Sequence, residues 1–127
     1  MRRNISSGTI WEDQIGYSRA VRVGNVIEVS GTTAVDGDVV IGKDNISRQT
    51  KFIFLKIEKA LKEAGSGMED VVRTRMFVKD ISQSDLVGRV HAEFFARIKP
   101  AASMIEVKGF IHPDLLIEIE VTAVISQ

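Results

Sequence analysis

From Ser18 to Ser30 two short, valine-rich apolar runs flank Gly24-Asn25. That pattern predicts two strands, Ala20-Val21-Arg22-Val23 and Val26-Ile27-Glu28-Val29, joined by a tight hairpin turn. Asp36-Gly37-Asp38 marks another turn, with Val39-Val40-Ile41 as a short edge-like strand after it. From Asn45 to Ala64 the period lengthens to about 3.6 residues, and Ile46, Thr50, Ile53, Phe54, Ile57, Leu61 and Ala64 share one helix face. Asp44 or Asn45 is placed to cap its start and Gly65 to end it. Val71 to Lys79 reads as a strand. Asp85 to Lys99 reads as a second helix, with Val87, Val90, Phe94 and Ile98 inward, Ser84 as N-cap and Pro100 as its stop. Ser103 to Val107 and Leu115 to Ile125 are the last two strands, joined by a loop holding Gly109, His112 and Pro113.

The order β-β-β-α-β-α-β-β predicts an α+β fold, a mixed sheet with two helices packed on one face. Period-two parity divides each strand. Val72, Thr74, Met76 and Val78 oppose Arg73, Arg75 and Phe77. Ile117, Ile119, Val121 and Ala123 oppose Leu116, Glu118, Glu120 and Thr122, and Ile105 and Val107 oppose Met104 and Glu106. The apolar sides are expected to take the helices. The second side mixes Phe, Met, Arg and Glu, too charged for a core and too apolar for plain solvent, as a subunit interface with wet pockets would be.

The length of 127 residues suits a single domain spanning 1–127. The 17 basic and 17 acidic residues cancel and are interleaved, so charge gives no support to nucleic acid or an anionic membrane as partner. The absence of cysteine removes disulfides, thiolate catalysis and thiolate metal sites. Met1-Arg2-Arg3-Asn4-Ile5 lacks the apolar run of a signal peptide, and no apolar window reaches membrane-spanning length, so a cytoplasmic protein is expected.

A set of short stretches then falls in a recognisable order: Gly16-Tyr17-Ser18-Arg19-Ala20-Val21, Val29-Ser30-Gly31, Ala64-Gly65 with Asp70-Val71-Val72, Phe77-Val78-Lys79-Asp80, Glu93-Phe94-Phe95, Pro100-Ala101-Ala102-Ser103, and Ile117-Glu118-Ile119-Glu120-Val121-Thr122-Ala123. Together, from Gly16 to Ala123, they resemble the RidA/YjgF family, also known as endoribonuclease L-PSP or translation-inhibitor-like proteins. The resemblance implies a chorismate-mutase-like fold and a homotrimer with a central barrel, helices outside and three clefts between subunits. It implies hydrolysis of reactive enamines and imines such as 2-aminoacrylate, without metal or organic cofactor.

Imine hydrolysis needs a cation for the substrate carboxylate, a positioned water and a proton-moving group. In the family the cation is an arginine in the third place of Pro-Ala-Arg-Ser, and here that place is Ala102. The chain thus resembles a branch that lacks the arginine, and standard 2-aminoacrylate deamination is not expected of it. Tyr17 and Ser30 match family cleft positions, and Glu120, second Glu of Glu-Ile-Glu, matches the carboxylate linked to the catalytic water. Gly88 stands where the family often has Asn.

Tyr17, Ser30, Arg75, Ala102 and Met104 are therefore the expected substrate-binding residues and Glu120 the expected catalytic one. By parity Arg75 is expected on the face of Ala102, Met104 and Glu120, where it either grips an anion or pairs with Glu106, Glu118 or Glu120. Glu120 is either a general base or an inert partner of Arg75. His91 and His112 lack metal-ligand spacing and read as packed or solvated residues. Trp11 reads as a staple for the N-terminal segment or as a lid over the cleft. Gly65-Ser66-Gly67 follows a helix rather than preceding one, which fits a C-cap and not a phosphate loop. Three functions remain open: C–N hydrolysis of a small metabolite at an intersubunit cleft, non-catalytic binding of a small ligand there, and, most weakly, ribonuclease activity.

Overall fold

The computed structural model describes residues 1–126. Its strands are β1 (Arg2–Ile5), β2 (Ala20–Val23), β3 (Val26–Thr32), β4 (Val35–Asp36), β5 (Val39–Val40), β6 (Val71–Val78), β7 (Ala101–Glu106) and β8 (Ile117–Val124). Its helices are α1 (Ile10–Ile15), α2 (Ile46–Glu63) and α3 (Ser84–Phe95). Six strands form one sheet in the order β1-β2-β3-β8-β6-β7, and β4 and β5 form a separate two-stranded ribbon. Neighbours in the large sheet are antiparallel except β6 and β7, which run parallel and are connected through α3. The α+β architecture with a mixed sheet is the expected one. The sequence pattern did not show β1 or α1.

The long helix ends where its local chemistry says it should. The Asn45 side chain accepts a hydrogen bond from the Arg48 N–H at 3.0 Å, which fixes the first turn. At the other end Gly65 adopts φ 87°, a left-handed conformation open to glycine. The Ser66 N–H then reaches the Leu61 carbonyl at 2.8 Å and the Gly65 N–H the Lys62 carbonyl at 3.0 Å, a paired closure of the final turn. Arg22 from β2 and Arg3 from β1 donate to the Ala64 and Glu63 carbonyls at 2.8 and 3.0 Å, bringing cations to the negative end of the helix. The second helix is shorter than its pattern suggested. It stops at Phe95, and Lys99 takes φ 54° before Pro100. Ser84 is its first residue rather than its cap.

Ile53, Phe54, Ile57 and Leu61 of α2 and Val87, Val90 and Phe95 of α3 are buried against Ile27, Val29, Met76, Val78, Ile117, Ile119, Val121 and Ala123 of the sheet. Strand parity therefore holds along most of β3, β6 and β8, and two register shifts interrupt it. One lies in β3 between Val29 and Thr32. The other lies between Val71 and Arg73, so Val72 is extruded and 46% exposed instead of inward. Within this core the Gln49 side chain, fully buried, donates to the Gly42 and Asp114 carbonyls and accepts from the Leu116 N–H. It ties the segment before α2 to the loop entering β8.

Candidate functional site

The face of the sheet away from α2 and α3 carries the polar chemistry. Because β8 lies between β3 and β6, the outward residues of three strands meet: Glu28 and Ser30, Glu118 and Glu120, and Arg73, Arg75 and Phe77. A shallow concavity of about 320 Å³ is lined there by Val21, Glu28, Ser30, Arg75 and Glu120. Three of the sequence-predicted site residues, Ser30, Arg75 and Glu120, are thus brought together.

Arg75 and Glu120 face each other across the β6–β8 ladder, and the guanidinium Nη1 stands 3.8 Å from the carboxylate Oε1. Of the expected partners of Arg75, Glu120 is the one in ion-pair contact. Both side chains are about two-fifths exposed, at 41% and 38%, so in this chain the pair is a solvated one, worth ~0–1 kcal/mol. The Ser30 hydroxyl donates to the Ser18 carbonyl at 2.6 Å, which leaves its oxygen lone pairs to accept.

The more desolvated carboxylate is Glu118, which the sequence reading did not single out. It is half-buried, and burial pushes its pKa up, opposed by Arg19 and reinforced by Glu120. Its Oε2 occupies the space over Gly31, where a β-carbon would lie 2.6 Å from it. Any side chain at position 31 would move the carboxyl group. Arg19, next to inward Ala20, donates from Nη2 to the Gly31 carbonyl at 2.7 Å. Burial lowers the Arg19 pKa, while Tyr17, Glu12 and Glu118 pull it back. The only sequence signal for this cluster was that Glu118 shares its strand face with Glu120.

Two expected site residues fall elsewhere. The parallel register pairs Thr74 with Ala102 and Met76 with Met104, and residues paired in register point to one side. Ala102 and Met104 therefore lie on the helix side of edge strand β7, and Met104 packs against the core. The residues of β7 on the Arg75 face are Ala101, Ser103 and Ile105, and Arg73 donates to the Ser103 hydroxyl at 2.6 Å. Parity orders residues within a strand but does not fix the phase of one strand against the next, and the expected common face for Arg75, Ala102 and Met104 failed on that point.

Beside Ala102, on the helix side, Thr74 Oγ1 lies 3.0 Å from His91 Nε2. The imidazole packs on Phe95 at 4.8 Å and edge-on to Phe54 at 5.8 Å between ring centroids. Burial pushes the His91 pKa below its ordinary 6.5. The fold favours the neutral ring, so its contribution to stability is present above pH 6.5 and is lost as pH falls through the lowered value. Chemical denaturation between about pH 7 and 5 should show native stability falling more steeply than that of His91→Gln. Parallel slopes would refute the assignment.

The N-terminal segment is held by Glu12, not by Trp11. The carboxylate is buried and accepts from the Ser7 N–H at 3.1 Å, the Ser7 hydroxyl and the Thr9 hydroxyl. Burial raises its pKa, but hydrogen bonds from Ser7, Ser6 and Thr9 outweigh that and leave it lowered. Trp11 is 60% exposed and Tyr17 37%. Ile10 and Ile15 of the same short helix are exposed as well, at 64% and 67%. Among the described residues no cluster of His, Asp or Glu has the makings of a metal site, and no helix is long and apolar enough to cross a membrane.

The family model described as Endoribonuclease L-PSP matches residues 12–125. An uncharacterised protein of Streptomyces coelicolor is 39% identical over 121 residues, 95% of this chain and 90% of that protein. A protein of Acinetobacter baylyi named 3-aminoacrylate deaminase RutC is 31% identical over 104 residues, 81% of this chain and 82% of that one. A solved structure from Mycobacterium tuberculosis, a member of the YjgF/YER057c/UK114 family, superposes with TM-score 0.90 at 46% identity, covering 98% of this chain and 100% of that one. The chain belongs to the RidA/YjgF family of endoribonuclease L-PSP-like proteins.

Proposed function

We propose that this protein hydrolyses a small enamine or imine, or a related C–N compound, at a site built around Glu118 and completed between subunits of a homotrimer. The observation that carries the reading is the Glu118 carboxyl group. It is half-buried, raised in pKa and seated against Gly31, beside Ser30 at the end of β3. A carboxyl group whose pKa is raised by burial holds a proton more readily than a solvated one and so is better suited to pass it on. Water adds to the C=N carbon as Glu118 takes a proton from it and delivers one to the nitrogen. The resulting carbinolamine collapses to a carbonyl and ammonia, and the carboxyl group regains its starting state. Glu120, solvated and paired with Arg75, serves as a neighbouring charge rather than as the base.

The split placement supports a composite cleft. Ala102 lies on the helix side of the sheet edge and Ser30, Glu120 and Tyr17 lie elsewhere, so a second copy would bring the family's site positions together. Light scattering should give about three times the 14.1 kDa chain mass. A stable monomer at micromolar concentration would remove the cleft.

The relative named 3-aminoacrylate deaminase makes a deaminase-type reaction the natural chemistry. Ala102, standing where the family motif carries arginine, argues against standard 2-aminoacrylate turnover. In an ammonia-release assay the native protein should act poorly on 2-aminoacrylate, and Ala102→Arg should raise that activity. Robust native turnover would refute the assigned effect of Ala102. The competing reading, a non-catalytic binding module of the same fold, is favoured by the same alanine. It would be established by saturable ligand binding with no ammonia release from any imine or enamine tested.

A further inference from the structure

Thr74 and His91 make a polar contact on the helix side of the sheet, among apolar neighbours. Thr74 is fully buried, and among the described residues its hydroxyl has no hydrogen-bond partner other than His91 Nε2, at 3.0 Å. A buried hydroxyl hydrogen is costly to leave unpaired, so the hydroxyl donates and Nε2 accepts. That selects the neutral tautomer with its proton on Nδ1. Nδ1–H is then a donor with no partner among the described residues. Of those residues' side-chain nitrogens, the one both buried and unpartnered is Arg19 Nε, so Nδ1 is open to solvent. Small residues flank the ring. Thr74 pairs in register with Ala102, which is exposed and carries a single methyl group. Gly88 lies one turn before His91 on α3, and a β-carbon built there would meet nothing within 4 Å. Phe54 and Phe95 hold the imidazole by packing. Burial alone lowers its pKa, with no contribution from a charged neighbour.

We infer that His91 is a specificity-determining residue, oriented by Thr74 so that its Nδ1–H donates to an uncharged carbonyl group, such as an amide, of a substrate lying beside Ala102. This rests on the reading that Ala102 lines a composite cleft, and it names the class of compound taken there. A guanidinium at position 102 would match a carboxylate in charge and in shape. A single neutral N–H among phenylalanines and small residues matches one carbonyl oxygen instead. A carboxylate in that place would be desolvated without a counter-charge. Ala102 and Gly88 leave the room that an uncharged group larger than a carboxylate needs.

The experiment is an NMR titration of the native protein, labelled with 15N-histidine, using pyruvamide and pyruvate. His112→Gln, in the loop before β8, assigns the two sets of ring resonances. The free His91 ring should show the Nδ1–H tautomer. Pyruvamide should shift its Nδ1 resonance and bind at least about fivefold more tightly than pyruvate, the worth of roughly one neutral hydrogen bond. Two substitutions separate recognition from packing. The amide of glutamine reaches the place of Nε2, so His91→Gln should keep the Thr74 contact and the fold but lose the preference. The amide nitrogen of asparagine stands near the place of Nδ1, so His91→Asn should keep part of the preference while losing stability. Should His91→Asn fail to fold, the ring tautomer and His91→Gln decide. An Nε2–H tautomer, absence of pyruvamide binding, equal or reversed affinities, or a preference that survives His91→Gln would each overturn the assignment. Ammonia release from imines without a preference for pyruvamide would end this inference and leave the hydrolase reading standing. The preference without ammonia release from any imine would do the reverse.

Discussion

Glu118→Gln is expected to reduce ammonia release by about 100-fold or more while the protein remains folded, because the amide keeps the volume over Gly31 but cannot shuttle a proton. Proton transfer by a positioned side chain contributes roughly 10²–10⁴-fold, so the loss should appear in kcat more than in KM. Glu120→Gln is the informative contrast. Its carboxylate is 38% exposed and already engaged by Arg75, so the change should move the rate only slightly. The pH profile gives a second check. A catalytic carboxyl group raised by burial should place the acid limb of kcat/KM above the ordinary carboxylate range, and the limb should vanish in Glu118→Gln. If Glu120→Gln is the damaging change and Glu118→Gln is nearly silent, the proton-moving role returns to Glu120.

The two carboxylates show where the sequence was legible and where it was not. Parity placed Glu118 and Glu120 on one face together, and the β6–β8 register confirms that both look away from the helices. Desolvation cannot be read from parity. It depends on what surrounds each group, and here on a Gly31 without a side chain and an Arg19 contributed by the segment just before β2. The resemblance supplied the Glu-Ile-Glu motif but could not weigh one glutamate against the other by environment.

The failure at Ala102 and Met104 has a related cause. Along β7 the sequence Ala-Ala-Ser-Met-Ile-Glu gives no clean alternation, since both faces of an edge strand are partly covered: Ala101, Ala102, Ile105 and Glu106 are exposed and Ser103 and Met104 half-buried. The phase came only from its pairing with β6. By contrast α2 was legible almost to the residue, because eighteen helical residues repeat one face several times and both ends carry capping chemistry. Helix α1, with six residues, completes too few turns to show a period. Its anchor is the buried Glu12 carboxylate, a residue type that hydrophobic patterns skip.

Gln49 is the other residue that such patterns skip, and Gln49→Leu is expected to cost at least about 2 kcal/mol of folding stability. The substitution is nearly isosteric and suits a helix, so a purely hydrophobic account of α2 would predict stabilisation. The hydrogen bonds say otherwise. Gln49 Nε2 satisfies the Gly42 and Asp114 carbonyls at 3.2 and 2.9 Å, and Oε1 accepts the Leu116 N–H at 2.9 Å. Leucine would leave all three backbone groups without a side-chain partner, at about 1–3 kcal/mol for each that stays buried. Gly42 precedes α2 at φ 70°, and Asp114 and Leu116 lead into β8, so the loss would loosen the entry to the strand that carries Glu118 and Glu120. Denaturant unfolding of Gln49→Leu should therefore show a lower midpoint, and amide exchange at Leu116 should quicken. A change below about 0.5 kcal/mol would mean that solvent replaces the glutamine at little cost and that it is not a structural tie.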